Sequence, residues 1–204
     1  MNRLTRDEVA KSIEEWTKDW EYPLGKPKDE VVERVFRMYL ATLQICKEKN
    51  FSGFSYKCVD GIDLEMDATH AVPSALLASS GIPYVDENDI GNLIAELMLM
   101  WISGRQTMFL EHYEHHPEWI LLGEDGYVPS EFIEGNPQIK SVATVLLGGI
   151  AHCSNMKKGR MTLACLSEDR GGYRMHIVSG EGRERPQWVE MGVPLPSWPS
   201  VKFY

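Results

Sequence analysis

The feature that most constrains this chain is a long amphipathic helix with an acidic residue near each of its boundaries. After Glu87, apolar side chains recur with the i, i+3, i+4, i+7 spacing of one buried helix face, at Ile90, Leu93, Ile94, Leu97, Met98 and Trp101. We expect this helix to open within residues 86–91 and to stop at Ser103 and Gly104. The apolar run at residues 108–110 then predicts a strand that ends on Glu111.

The two acids that bracket this helix can meet in space. A crossover helix returns the chain alongside the strand that it left, so groups that are distant in sequence become neighbours. Paired carboxylates suit a hard divalent cation and proton-transfer chemistry. Simpler interpretations compete with this one. The helix dipole alone favours an acid such as Glu87 in a first turn, and Glu111 is equally well a solvated residue at a strand end.

The composition is typical of a soluble globular protein, with 43% hydrophobic and 25% charged residues among 204. That length holds one large domain or two small ones. A net charge of −9 argues against nucleic acid or an anionic membrane as a partner, because both require a basic surface. No apolar run reaches the length of a membrane span, and residues 1–6 lack the apolar core of a signal peptide.

The four cysteines are scattered along the chain and form no Cys-x-x-Cys pair; they are Cys46, Cys58, Cys153 and Cys165. This distribution favours buried thiols over a disulfide framework, and it disfavours a zinc site built from the cysteines. We therefore expect a cytoplasmic protein.

The N-terminal half alternates helix and strand signals. Helices are predicted at residues 5–20, 29–49 and 67–79, the last of them capped by Asp67 or Thr69. Strands are predicted at residues 52–58 and 82–85. This alternation is typical of an α/β layer with parallel strands.

The composition shifts after residue 116. Glycine and proline are frequent between residues 117 and 140, and short β-rich runs follow at 141–147, 160–165 and 173–178. These runs predict antiparallel strands in a small barrel or sandwich. The expected fold class is therefore α/β, with a partial parallel α/β layer followed by a small antiparallel β-barrel-like C-terminal region. We expect a helical segment at 1–50, an α/β part with the acidic metal site at 51–116, and a β-rich barrel-like domain at 117–204.

Several short motifs stand in a specific order between residues 52 and 198. Glu87-Asn-Asp follows Gly-Ile-Pro, the next helix closes with Ile102-Ser-Gly, and a strand rich in methionine and phenylalanine ends on Glu111. A later strand, Leu-Leu-Gly-Gly-Ile-Ala-His, ends on His152. In this order the motifs resemble the C-terminal part of the L-fucose isomerase and L-arabinose isomerase superfamily. Tyr113 and the histidine at position 116 match the tyrosine and histidine that follow the acid in the arabinose isomerase branch.

The resemblance implies a metal-dependent aldose–ketose isomerase, an intramolecular oxidoreductase that works through an ene-diol. It implies that Glu87, Glu111 and His152 bind Mn²⁺ (or Mg²⁺), with Glu87 and Glu111 also acting as the catalytic acid/base pair. Oxygen-rich ligation with one imidazole suits these ions. Asp89, His116 and Tyr113 are implied to contact the substrate or to support the ligands.

The resemblance also predicts partners. The substrate would be a small-molecule sugar, and because sites in this family lie where subunits meet, we expect a homo-oligomer or a separate N-terminal domain. Neither nucleic acid nor a membrane is an expected partner.

Two departures from the family pattern keep other functions open. Two predicted helices precede Phe51 where the family has large N-terminal α/β domains, and no residue before Tyr204 matches its further ligand histidine. The chain is therefore expected to be a fragment or a short homologue of such an isomerase. Alternatives are a non-catalytic sugar-binding or regulatory remnant, or a domain with a purely structural role. His152 could equally be a hydrogen-bonded core histidine. The histidine-rich run at residues 112–116 could be a surface loop, or it could bind metal nonspecifically during purification.

Overall fold

A computed structural model describes residues 4–62, 65, 68–143, 148–185 and 198–204 of the chain. Within these ranges the helices are α1 (Arg6–Thr17), α2 (Asp29–Lys49), α3 (Ala71–Ser79) and α4 (Ile90–Ser103), with a π-helical turn at Cys58–Ile62 and a 3₁₀ turn at Ser130–Phe132. The strands are β1 (Phe54–Tyr56), β2 (Tyr84–Asp86), β3 (Glu111–His115), β4 (Ile120–Gly123), β5 (Ile139–Ala143), β6 (Gly148–His152), β7 (Gly159–Asp169), β8 (Gly172–Arg183) and β9 (Ser200–Phe203).

The first two helices follow their local sequence signals. Thr5 and Glu8 form a reciprocal capping box at the start of α1, with Glu8 N donating to Thr5 Oγ1 at 3.2 Å and Thr5 N donating to the Glu8 carboxylate at 2.7 Å. The predicted bounds of α2 are confirmed, and Asn50 ends this helix with a left-handed φ of 55°. Among the described residues no helix is long and apolar enough to cross a membrane.

The predicted parallel pairing is confirmed. Strands β1 and β2 pair in parallel, with Phe54 opposite Tyr84 and Tyr56 opposite Asp86. Helix α3 lies in the connection between them and packs against α2 and β2. The carboxyl end of this pair places Asp86 in the protein interior, at 6% exposure.

Helix α3 begins later than its sequence suggests. Thr69 Oγ1 donates to the carbonyl of Ile150 at 2.8 Å and accepts from the amide of the same residue at 3.2 Å. Thr69 is therefore linked to strand β6 and does not cap the helix, while the alternative cap, Asp67, lies outside the described residues. His70 occupies the N-cap position without a capping hydrogen bond, which leaves its imidazole available for other contacts.

Helix α4 begins at Ile90, within the predicted window of residues 86–91. Glu87 and Asn88 lie in a turn with left-handed φ values of 52° and 60°, and Asp89 supplies the helix cap by accepting a hydrogen bond from Asn92 N at 3.0 Å. Glu87 is therefore not a first-turn residue of this helix. The strand predicted at 108–110 is displaced, because β3 begins at Glu111.

The apolar face predicted for α4 is not buried as a whole. Ala95 and Glu96 are buried, whereas four of the six predicted face residues are between 41% and 68% exposed: Ile90, Ile94, Met98 and Trp101. The helix is apolar on nearly every side, so close contact with β7 selects the buried side. A Cβ atom at Gly91 would lie 2.5 Å from the Leu166 carbonyl oxygen, which shows how closely the two backbones approach.

The C-terminal half contains antiparallel strands, as expected. One sheet has the order β3-β4-β9-β8-β7, and β5 pairs with β6 in a second sheet. A tight turn joins β7 to β8 through Arg170 and Gly171, both with positive φ. Within the described ranges neither sheet closes on itself, so the barrel-like closure expected for residues 117–204 is not found there. Residues 144–147 of the strand predicted at 141–147 lie outside the described residues.

In the part of the chain that the structure describes, two apolar cores hold these layers together. The larger core joins helices α1 to α3 with residues from β1, β2, β5 and β6; it includes Val9, Phe36, Val72, Leu77, Tyr56, Tyr84, Tyr127, Ile139 and Ile150. The smaller core lies beneath the five-stranded sheet and contains Leu122, Val128, Ile133, Met156, Val201 and Phe203. The larger core contains residues from all three predicted segments. It includes Tyr127 from the connection after β4 and Ile150 from β6, so this connection packs with β6 in one core.

Candidate metal centre

A group of titratable side chains converges at the carboxyl end of strand β2. Asp86 is the last residue of that strand, His70 lies at the start of α3, and Glu124 and Asp125 follow strand β4. We refer to these four residues as the His70 cluster. Their potential ligand atoms all lie within 4.8 Å of one another.

Local backbone geometry places the two acids that follow β4. Gly126 has a φ of 107°, and a Cβ atom at this position would lie 2.4 Å from the side chain of Ala151. Its carbonyl accepts a hydrogen bond from His152 N at 2.9 Å. The turn that carries Glu124 and Asp125 is therefore held tightly against strand β6.

The imidazole of His70 lies between two carboxylates. Its Nε2 atom is 3.2 Å from Asp86 Oδ1 and 3.6 Å from Asp125 Oδ1. The Tyr84 hydroxyl donates a hydrogen bond to the same Asp86 oxygen. His70 and Asp86 are buried, whereas 49% of the Asp125 side chain is exposed, so the cluster extends from the interior to solvent.

These neighbours set the protonation of the cluster. Burial lowers the pKa of His70, but hydrogen bonding and charge from Asp125 and Asp86 outweigh it and raise that pKa to about 10. Burial, followed by Asp86 and Asp125, raises the pKa of Glu124 to about 12. Burial acts to raise the pKa of Asp86 as well, yet His70 holds it below the usual value. At neutral pH the cluster therefore contains an imidazolium, a neutral Glu124 carboxyl and an ionised Asp86.

Several buried polar atoms around the cluster are left without a hydrogen bond. Among the described residues nothing donates to or accepts from His70 Nδ1, Glu124 Oε2 or the Tyr127 hydroxyl. Buried polar groups are normally satisfied by protein, water or a ligand. These atoms and the four converging donors fit a divalent cation, since one imidazole and three carboxylates form an oxygen-rich ligand set.

A second donor set overlaps the first. The buried thiol of Cys58 lies with His70 and Asp86 so that their potential ligand atoms are within 4.8 Å of one another. A thiolate favours zinc over magnesium or manganese. The site thus offers an oxygen-rich set and a sulfur-containing set that share two residues.

Three of the residues implied by the family resemblance border the His70 cluster. Burial, followed by the charges of Asp125, Asp86 and Glu87, raises the pKa of Glu111. Tyr113 is half-buried, and burial followed by the charge of Glu124 and its neighbouring acids raises its pKa strongly. Glu87, Glu111 and Tyr113 are therefore electrostatic neighbours of the cluster, although none of them belongs to the four residues whose ligand atoms converge.

The other three residues have different surroundings. His152 is buried at the end of β6, where Nδ1 lies 3.2 Å from Ser154 Oγ and burial lowers its pKa to about 3. The Asp89 carboxylate is occupied as the cap of α4. His116 lies 2.7 Å from the Glu114 carboxylate and stacks on Trp119 with ring centroids 3.8 Å apart. The assignment of His152 as a ligand, and of Asp89 and His116 to the substrate, stays a prediction.

Sequence reasoning missed all four members of the His70 cluster. Asp86 ends a strand one residue before Glu87, and Glu124 and Asp125 follow the apolar pair Leu121–Leu122 before a glycine. An acid at or just after the end of a short apolar strand was therefore a sequence signal that could have identified Asp86, Glu124 and Asp125. His70 carries no comparable signal, because its role depends on α3 returning beside β2.

The chain matches no protein-family model and no curated protein sequence. The resemblance to the sugar isomerases therefore stays a prediction that rests on the motifs quoted above.

Proposed function

We propose that this protein binds a divalent cation at the His70 cluster and catalyses a metal-dependent aldose–ketose isomerisation. The observation that carries the proposal is the convergence of His70, Asp86, Glu124 and Asp125 within 4.8 Å in a largely buried site. The oxygen-rich set favours Mn²⁺ or Mg²⁺. The proposal also includes the fold expected from the isomerase resemblance, in which the C-terminal region is barrel-like. The expected partners are a sugar substrate and other subunits.

The solvent side of the cluster supports proton transfer. Part of Glu111 is exposed, and partial burial together with the nearby acids raises its pKa, so it can exchange protons closer to neutral pH than an isolated glutamate. Glu87 is exposed on the same side and adds its charge to that of Asp125. A sugar approaching from solvent would meet these groups before the buried ones.

The proposed chemistry assigns different roles to the residues on the solvent side, Glu111 and Tyr113, and to the His70 cluster. Glu111 removes the proton from the carbon next to the aldehyde, and the hydroxyl proton on that carbon moves to the aldehyde oxygen. Glu111 then returns a proton, exchanged with water, to the former aldehyde carbon, which gives the ketose. Tyr113, whose pKa is raised, stays protonated and can donate a hydrogen bond to a sugar oxygen. A cation held by the His70 cluster would stabilise the negative charge that develops on the ene-diol oxygens.

The ligand set is tested by metal content. Tag-free protein is loaded with Mn²⁺, dialysed and analysed by mass spectrometry beside D125N, E111Q and the exposed control E118Q. We expect about one Mn²⁺ per chain in wild type, E111Q and E118Q, and affinity at least about tenfold weaker in D125N. The ligand set implied by the family resemblance predicts the reverse, with loss in E111Q and retention in D125N.

The reaction is tested on the same proteins with L-fucose, L-arabinose and other aldoses in D₂O. Formation of the ketose with deuterium at the carbon next to the carbonyl is the expected result for wild type and E118Q. E111Q should bind the cation without turnover. Wild type that binds no cation contradicts the whole proposal. Wild type that binds cation and sugar but converts no aldose contradicts the isomerase activity and favours the non-catalytic sugar-binding alternative.

A further inference from the structure

A β-bulge in strand β3 changes the direction of its histidines. His112 lies opposite Leu122 of β4 and His115 lies opposite Ile120, so three steps on β3 match two steps on β4. The extra residue is Tyr113. In a regular strand, residues three apart point to opposite faces of the sheet, but one inserted residue brings His112 and His115 to the same face.

The two imidazoles are close together and accessible. Their ring centroids are 4.8 Å apart and the rings are perpendicular. Both residues are exposed, and within the described part of the chain neither imidazole has a hydrogen-bond partner. His116, by contrast, is engaged by Glu114 and Trp119. The first two rings are therefore adjacent and accessible on one surface.

We propose that His112 and His115 form a surface site for a borderline divalent transition-metal ion such as Zn²⁺, Ni²⁺ or Cu²⁺. Neutral imidazole suits these ions, and affinity rises along the series from Mn²⁺ to Cu²⁺. Two protein nitrogens chelate the ion from one side, and water completes its coordination.

The pairing register separates this site from Glu111, the proposed catalytic base. His112 shares a sheet face with Leu122, which packs in the smaller core. Glu111 lies opposite Gly123 and therefore points to the other face. The surface site thus does not depend on the proposed function, and it prefers a different class of metal.

Calorimetric titration of tag-free protein with ZnCl₂ tests the site. The proteins are wild type, H112A, H115A, H112A/H115A and the neighbouring control H116Q, with far-UV circular dichroism to confirm folding. The double variant should bind one Zn²⁺ fewer per chain than wild type. Each single variant should weaken that site at least about tenfold, and H116Q should leave it within about twofold of wild type.

Two results would overturn the proposal. One is equal Zn²⁺ stoichiometry and affinity in wild type and H112A/H115A. The other is a loss in H116Q as large as that in H112A. Repeating the titration with MnCl₂ should give no difference between wild type and the double variant, because Mn²⁺ binds imidazole pairs more weakly.

Discussion

The region around His70 and the region around His152 bury their histidines almost equally, at 6% and 4% exposure. The pKa of His70 is raised to about 10, whereas that of His152 is lowered to about 3. Burial lowers both values because the imidazolium loses its hydration. The carboxylates of Asp86 and Asp125 outweigh this loss at His70, while His152 contacts the neutral hydroxyl of Ser154.

The difference shows what makes a buried histidine a candidate ligand. Burial at a strand end is shared by many core histidines and does not indicate a metal. Convergence with carboxylates from separate segments does, because several buried acids repel one another unless a proton or a cation lies among them. The neutral Glu124 carboxyl and the His70 imidazolium supply those protons when the cation is absent.

The largest effect is expected from H70A. This change leaves the Asp86 carboxylate buried without its imidazolium, and breaking such a pair costs about 3–5 kcal/mol of the free energy of unfolding. Urea unfolding at pH 7 of cation-free protein measures it. A loss below about 1 kcal/mol, the size expected for one neutral hydrogen bond, would mean that His70 does not compensate Asp86.

The next effect concerns Glu96, a buried acid that, unlike Asp86, has no positive partner in the described part of the chain. Burial raises its pKa to about 8, and the hydrogen bond from Thr107 Oγ1 at 3.1 Å offsets this only in part. The folded state therefore binds a proton more tightly than the unfolded state between pH 4.5 and pH 8, and stability falls as pH rises through that window.

E96Q should remove this loss. The amide is neutral at every pH, so the variant should gain on the order of 3 kcal/mol relative to wild type between pH 5 and pH 8. Urea unfolding of both proteins at pH 5, 6.5 and 8 provides the comparison. A difference between the two proteins that does not change with pH would show that Glu96 is already ionised at pH 5.

Cation binding should release protons from the His70 cluster. His70 and Glu124 both hold protons at neutral pH and must lose them to act as ligands. With two protons released, the affinity for Mn²⁺ should rise by up to about a hundredfold per pH unit. Calorimetry in buffers with different ionisation enthalpies counts the protons. A count of zero would place the cation elsewhere, for example at Glu87 and Glu111.

At pH 7 the smallest effect is expected from H152Q. At pH 7 this change alters one hydrogen bond with Ser154 and should cost about 1 kcal/mol. The unfolded state binds a proton that the folded His152 rejects between about pH 3 and pH 6.5, so wild type gains stability as pH rises through this window. H152Q should lack that gain, and thermal unfolding at pH 4 and pH 7 tests it. Loss of Mn²⁺ in H152Q would instead support its role as a ligand.

Local signals predicted the helices and the antiparallel strands of the C-terminal half. The predicted bounds of α2 are confirmed, because the ends of a helix depend on residues within a few positions of one another. The periodicity of α4 predicted its existence but not its buried face, because contact with β7 through Gly91 selects that face. Glu87 lies between β2 and α4 and not in the first turn of the helix, because Asp89 caps α4.

The sequence by itself determined the bounds of α2, the parallel pairing of β1 and β2, and the antiparallel strands of the C-terminal half. Only the tertiary structure decided which acids converge and which histidine joins them. Thr69 forms a hydrogen bond with Ile150, which is 81 positions away in the sequence. This bond holds the residue before His70 against β6. A pKa depends on the charges and water within a few ångströms, and in this protein those neighbours come from segments that are far apart in the chain.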